Sequence, residues 1–180
     1  LLFSVLFALL LGWLIHRFNK TTSLVTRKEW QIMLFFAFFT HVILDCFTVY
    51  GTQVFAPFSS YRVSWGSIAV VDPLYTIPLL LSLVITGFII RTKRTRRIVN
   101  YLGLALSTLY LLFTVYNKAR VHNIFEHELK AQNIEVTRMM TSPTIFNNIL
   151  WSCTAEANDA YYVGLYSFYD TVPVKFSKIE

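Results

Sequence analysis

Charge is what this 180-residue chain has least of: Asp, Glu, Lys and Arg make up 14% of it, against 55% hydrophobic residues, and its mean hydropathy is positive. A balance so apolar excludes an ordinary soluble domain. There are only two cysteines, Cys46 and Cys153, and their separation supplies neither a disulfide framework nor a Cys-x-x-Cys pattern. Cys46 reads simply as a small apolar residue in a helix. A glycine-rich phosphate loop and a Ser-His-Asp order are also missing, and the chain contains no internal repeat and no low-complexity tract.

What is present is a series of long apolar runs separated by short basic clusters, the pattern of an integral membrane protein. The net charge of +6 does not argue for nucleic acid. Lys and Arg stand mostly at the ends of apolar runs, where they orient helices and meet anionic lipid headgroups.

The first run, Leu1 to Ile15, is shorter than the ~20 residues a spanning helix needs. His16, Arg17 and Lys20 follow it rather than a small-residue cleavage site, so it reads as the end of a truncated transmembrane helix. A basic connection, His16 to Lys28, leads to helix two, expected from Trp30 to Val49. Tyr50 to Ala69 is broken by Gly51, Pro57 and Gly66, carries Phe55, Phe58, Tyr61 and Trp65, and has Arg62 as its only charge. It reads as an aromatic loop at the membrane interface. Helix three is expected from Val70 to Ile90, opening on Asp72-Pro73 and kinked at Pro78. After the basic run Arg91 to Arg97, helix four is expected from Ile98 to Tyr116.

Beyond it, Asn117 to Asn133 reads as a helix continuing outward, Arg138 to Asn148 as a loop around Pro143, and Ile149 to Glu156 with Ala160 to Phe168 as a hairpin joined at Asn158-Asp159. A lone hairpin is marginal, so this piece belongs to a larger domain or packs on the membrane part. The expected fold is mainly α: a polytopic bundle of about four transmembrane helices over 1–116, with a small α+β extracytoplasmic segment over 117–180. Two strongly basic connections and a nearly uncharged Tyr50 to Ala69 loop place the basic ends in the cytoplasm and the loop outside.

One stretch carries chemistry. His41 and Asp45 lie four residues apart, on one helix face that Thr48 continues. At a rise of 1.5 Å per residue from Trp30, they stand roughly 16 and 22 Å along a helix crossing a ~30 Å core. Asp72, opening the returning helix, is expected at similar depth. Ionisable groups there are costly and are functional-site hypotheses by default. Three readings fit the spacing. The imidazole and two carboxylates could ligate a divalent metal, since a catalytic zinc takes three protein ligands and one water. His41 and Asp45 could instead bond each other while Asp72 caps helix three. The three could also relay protons or ions. His122, Glu126 and His127 form another i, i+4 combination, of a kind common on exposed helices.

The runs His-Val-Ile-Leu-Asp-Cys-Phe-Thr-Val-Tyr-Gly-Thr (41–52), Ala-Pro-Phe-Ser (56–59) and Val-Asp-Pro-Leu-Tyr-Thr-Ile-Pro-Leu-Leu (71–80) resemble the YdjM-type family of membrane-bound, metal-dependent hydrolases, which is remotely similar to phospholipase C-like phosphoesterases. That family also has a His-Arg and Thr-His-Ser motif just before its first helix, and this sequence starts where that motif would have ended. The resemblance implies an inner-membrane hydrolase of a phosphoester or lipid-derived substrate, multi-pass and in contact with membrane lipids, with a divalent metal, zinc first, near the outer face. It implies His41, Asp45 and Asp72 as ligands, Thr48 and Arg62 in catalysis, and Tyr50, Thr52 and Arg62 at the substrate. Two alternatives remain at this level, an ion or proton-relay transporter and a non-enzymatic membrane adaptor.

Overall fold

Capping chemistry fixes where the first long helix begins. In the computed structural model, which describes residues 1–18, 25–89, 92–157 and 160–179, Thr26 Oγ1 accepts from the Glu29 N–H at 3.3 Å and Glu29 Oε2 accepts from the Thr26 N–H at 2.7 Å. This capping box satisfies two otherwise orphaned donors. Helix α2 therefore runs Arg27–Phe47, starting three residues before the expected Trp30. Helix α1, Leu2–Phe18, passes the expected end at Ile15. Then come α3 (Pro73–Val84) with a π-helical turn (Ile85–Ile89), α4 (Lys93–Ala131), and strands β1 (Arg138–Pro143), β2 (Leu150–Ala157), β3 (Ala160–Ser167) and β4 (Phe176–Ile179). Lys20, Ile90, Arg91 and the Asn158-Asp159 junction lie outside the described residues. The chain forms two compact units, Leu1–Trp65 and Gly66–Glu180.

In the first unit α1 turns small residues toward α2. Ser4, Ala8 and Gly12, one turn apart, are its buried positions, while Leu6, Phe7 and Leu10 point outward. A Cβ on Gly12 would stand 2.5 Å from Gln31 Cγ and 2.9 Å from Gln31 Cα. The Gln31 amide donates to the Leu9 carbonyl at 3.1 Å. Close backbone approach with a polar tie is how helices associate where lipid removes the hydrophobic drive.

The second unit repeats that device and adds a core of the soluble kind. A Cβ on Gly103 of α4 would stand 2.5 Å from Ser82 Oγ on α3, and Ser107 Oγ donates to the Tyr75 carbonyl at 2.8 Å. Helix α4 is one uninterrupted helix of 39 residues, about 58 Å long against a ~30 Å hydrocarbon core. It corrects one expectation, since Lys93 to Arg97 are its opening turns rather than a connection, and past Tyr116 it runs on without a break, as expected of a helix continuing outward. Its distal half packs Val121, Phe125 and Leu129 against Trp151, Cys153, Ala155 and Val174.

Four antiparallel strands, in the order β1-β2-β3-β4, stand where the sequence suggested a lone hairpin. The β2–β3 hairpin matches the expectation. Strand β1 occupies the stretch expected as a loop around Pro143. That proline ends an edge strand, where a missing N–H costs no ladder bond.

Helices α2 and α4 are long and apolar enough to cross a membrane, whereas α1 and the Pro73–Ile89 stretch are apolar but shorter. Only 6% of the apolar stretch of α2 and 17% of that of α4 are buried. The core helix of a soluble protein would be mostly covered, so these apolar faces are ones that lipid suits.

Candidate functional site

The end of α2 is built by a loop that folds back on it. Thr48 caps the helix, its N–H and its hydroxyl both donating to the Asp45 carbonyl, at 3.1 and 2.8 Å. Gly51 then turns the chain at φ +72°, a conformation glycine adopts without a Cβ penalty. Thr52 and Val63 pair through reciprocal backbone bonds of 2.9 and 3.0 Å. That pairing returns Ser64 Oγ to the Thr48 and Val49 carbonyls (3.0 and 2.9 Å) and the Trp65 N–H to the Cys46 carbonyl at 2.8 Å. The Trp65 ring meets Phe47 edge-on, with centroids 4.5 Å apart. Carbonyls left over at a helix end are thus satisfied by the chain itself, as an apolar setting demands.

His41 and Asp45 stand on this scaffold. Their Nε2 and Oδ2 atoms are 3.6 Å apart, with side chains 74% and 44% exposed. That separation is too long for a hydrogen bond but within the reach of an ion pair when the imidazole is protonated, and both side chains stay accessible. Because α2 begins at Arg27, the two residues lie about 21 and 27 Å along it, nearer its C-terminal end than a start at Trp30 implied. Asp45 occupies the last turn of a helix that has no basic residue in that turn. A carboxylate at the negative end of a helix dipole is unfavourably placed, and a cation beside it relieves that.

Tyr50 is exposed, as is Arg62. Among the described residues the Arg62 guanidinium donates to the Gly51 carbonyl alone, at 3.4 Å.

Asp72, in the second unit, has the opposite character. It is 2% exposed. Oδ1 accepts from the Leu74 N–H at 3.0 Å, capping α3, and Oδ2 accepts from the Tyr110 hydroxyl at 2.8 Å. Tyr110 is the partner that sequence reading missed. It lies 38 residues away, and its only signal is a phenol inside an apolar helix. Among the described residues no three His, Cys, Asp or Glu side chains are gathered closely enough to hold a metal. His41 and Asp45 offer two of the three donors that a catalytic zinc takes.

A family model described as YdjM inner membrane protein matches residues 1–121. The chain belongs to the YdjM inner membrane protein family. No curated protein and no solved structure matches it. The YdjM match takes in the His41–Asp45 pair, the returning loop, Asp72 and Tyr110, and it ends at Val121 on α4, so the four-stranded sheet lies beyond it. His122, Glu126 and His127 also lie beyond it. There Lys130 donates to Glu126 Oε1 at 2.6 Å and holds that carboxyl below its usual range.

Proposed function

We propose that this YdjM protein is a multi-pass inner-membrane hydrolase that uses a divalent cation, zinc first, against a phosphoester of a lipid-derived substrate. The observation that carries this reading is the exposed His41–Asp45 pair at the negative end of α2. An imidazole nitrogen and a carboxylate oxygen suit a borderline-soft divalent ion. A cation bound there would lower the pKa of its water and polarise a phosphoryl or acyl oxygen. Arg62 supplies a planar fork for phosphate oxygens from the loop beside that helix end. Tyr50 and Thr52 orient substrate from the same loop, and Thr48 fixes the helix end that carries Asp45. Family resemblance adds Asp72 as a ligand.

Orientation follows from charge: Arg27 and Lys28 open α2, Lys93 to Arg97 open α4, and the segment between α2 and α3 carries only Arg62 and Asp72. With basic ends cytoplasmic, the metal pair and the carboxy-terminal sheet are extracytoplasmic. Four crossings require the shorter α1 and the Pro73–Ile89 stretch to span as well, aided by local thinning or snorkelling at their ends.

Metal analysis of the purified full chain tests the reading. Wild type is expected to retain about one divalent ion per chain, and His41→Ala and Asp45→Ala to lose most of it. Asp72→Asn reports whether that carboxylate is a ligand. Equal metal in all four proteins would remove the basis of the hydrolase assignment. One observation favours a second reading: the bonded Asp72–Tyr110 pair lies among apolar helices, a setting that suits a proton relay. A relay predicts titratable flux with no bound transition metal.

A further inference from the structure

The connection between β1 and β2 ends in an apolar tip. Ile145 is 70% exposed, Phe146 61% and Ile149 41%. Between Arg138 and Glu156 the chain carries no charged residue. Phe146 adopts φ +68°, an uncommon conformation for a bulky side chain that persists only where the surroundings enforce it. They do so here. Asn147 Oδ1 accepts from the Ile149 and Leu150 N–H groups at 2.9 and 2.8 Å, and Asn147 Nδ2 donates to Thr144 Oγ1 at 2.9 Å. The loop is thus a built structure that displays its apolar residues.

Two bonds fix its height against the helices. The Phe146 N–H donates to the Val71 carbonyl at 3.2 Å, immediately before the Asp72 cap of α3. Asn148 Oδ1 accepts from Asn117 Nδ2 at 2.8 Å, just past the apolar stretch of α4 that ends at Tyr116. Asn148 also donates to the Ser67 carbonyl at 3.0 Å. The tip therefore stands level with the start of α3 and the end of the apolar part of α4. There Val70, Val71 and Leu74 are exposed too. Its apolar surface continues the face that α3 and α4 offer to lipid, and a soluble protein rarely leaves such a patch to water.

We propose that residues 144–149 are a membrane-inserting tip. Ile145 and Phe146 enter the headgroup and acyl boundary of the leaflet at which α3 begins, so the sheet rests on the bilayer and is held there by burial of these side chains. The inference rests on the reading that α4 crosses the membrane, and the experiment separates the two.

The full chain is reconstituted in nanodiscs of phosphatidylethanolamine and phosphatidylglycerol, with a nitroxide attached at Ile145→Cys or Phe146→Cys. Leu106→Cys, exposed midway along the apolar part of α4, serves as the lipid control, and Tyr169→Cys, 80% exposed, as the water control. Cys46 and Cys153 are buried and escape the label. Collision with oxygen, which concentrates in lipid, is compared with collision with a water-soluble nickel chelate. The oxygen-to-nickel ratio at 145 and 146 is expected to approach that at 106 and to exceed that at 169 several-fold. Ratios at 145 and 146 equal to that at 169, with a lipid-like value at 106, would overturn the tip alone. A label at 145 shielded from both reagents would mean that protein covers the loop, and would overturn it as well. A water-like value at 106 would sink the crossing of α4 and the tip with it.

Discussion

The two halves of α4 pack by different rules. Toward its start, Gly103 and Ser107 meet α3, and the closest approach is made by atoms a Cβ would displace. Toward its end, Val121, Phe125 and Leu129 meet Trp151 and Val174. One unbroken helix thus uses small residues and side-chain-to-backbone hydrogen bonds in one half and large apolar side chains in the other. In lipid, burying a leucine gains little because lipid is as apolar as the protein, so fit and polar ties decide. In water, apolar area removed from solvent decides. On the proposed crossing of α4, the change near Asn117 marks the passage from one solvent to the other.

The largest expected effect comes from the watery half. Trp151 is fully buried, and Trp151→Ala is expected to cost about 3–5 kcal/mol. Exchange protection of the sheet amides would report it, with α3 and the first half of α4 little changed. A loss below about 1 kcal/mol would mean that the sheet is held by something other than its core. The lipid half is probed by Gly103→Val, whose Cβ would stand 2.6 Å from Ser82 Cβ and 3.1 Å from the Pro78 carbonyl. Overpacking of this kind costs about 1–3 kcal/mol, and resistance to sodium dodecyl sulfate unfolding would measure it. Gly87→Ala is the control. A Cβ there meets nothing within 4 Å, so that change is expected to be neutral or slightly stabilising. Equal effects at 103 and 87 would break the claim that α3 and α4 meet through their small residues.

The helices were legible in the sequence because apolar run length is a strong signal, but their limits were not. The α2 start depends on the Thr26–Glu29 box, whose pattern in the sequence does not by itself say that a helix begins there. The hairpin was legible from its Tyr, Val and Trp content. Strand β1 was hidden by Pro143, since a proline speaks against a strand unless it lies at an edge, and edges are a tertiary fact. Four-residue β4 carries too little pattern to read. Within the candidate site, the shared face of His41 and Asp45 followed from spacing, whereas their 3.6 Å separation and outward aspect did not. The capping role of Asp72 was legible from Asp-Pro, and its bond to Tyr110 was not, because pairing across 38 residues is set by packing.

A smaller effect tests the junction of the two halves. Lys118 stands one residue past the buried Asn117 and donates to the Thr141 carbonyl and, at 2.6 Å, to Thr141 Oγ1. Burial lowers its pKa from the ordinary 10.5 to about 8. The neighbouring Cys153 thiol, pushed by burial up to about 12, stays neutral through that window. Between pH 8 and 10.5 the unfolded chain holds the Lys118 proton and the folded chain does not, so stability must rise with pH there. Below pH 8 both states are protonated, and above 10.5 neither is, so on either side this residue contributes no slope. Lys118→Met is expected to abolish the rise while retaining the stem that packs beside Thr141. Comparing wild type with the variant removes titration common to both. A wild-type profile that matched the variant between pH 8 and 10.5 would place Lys118 in water, away from Thr141, and would break the packing of the sheet on α4 at this point.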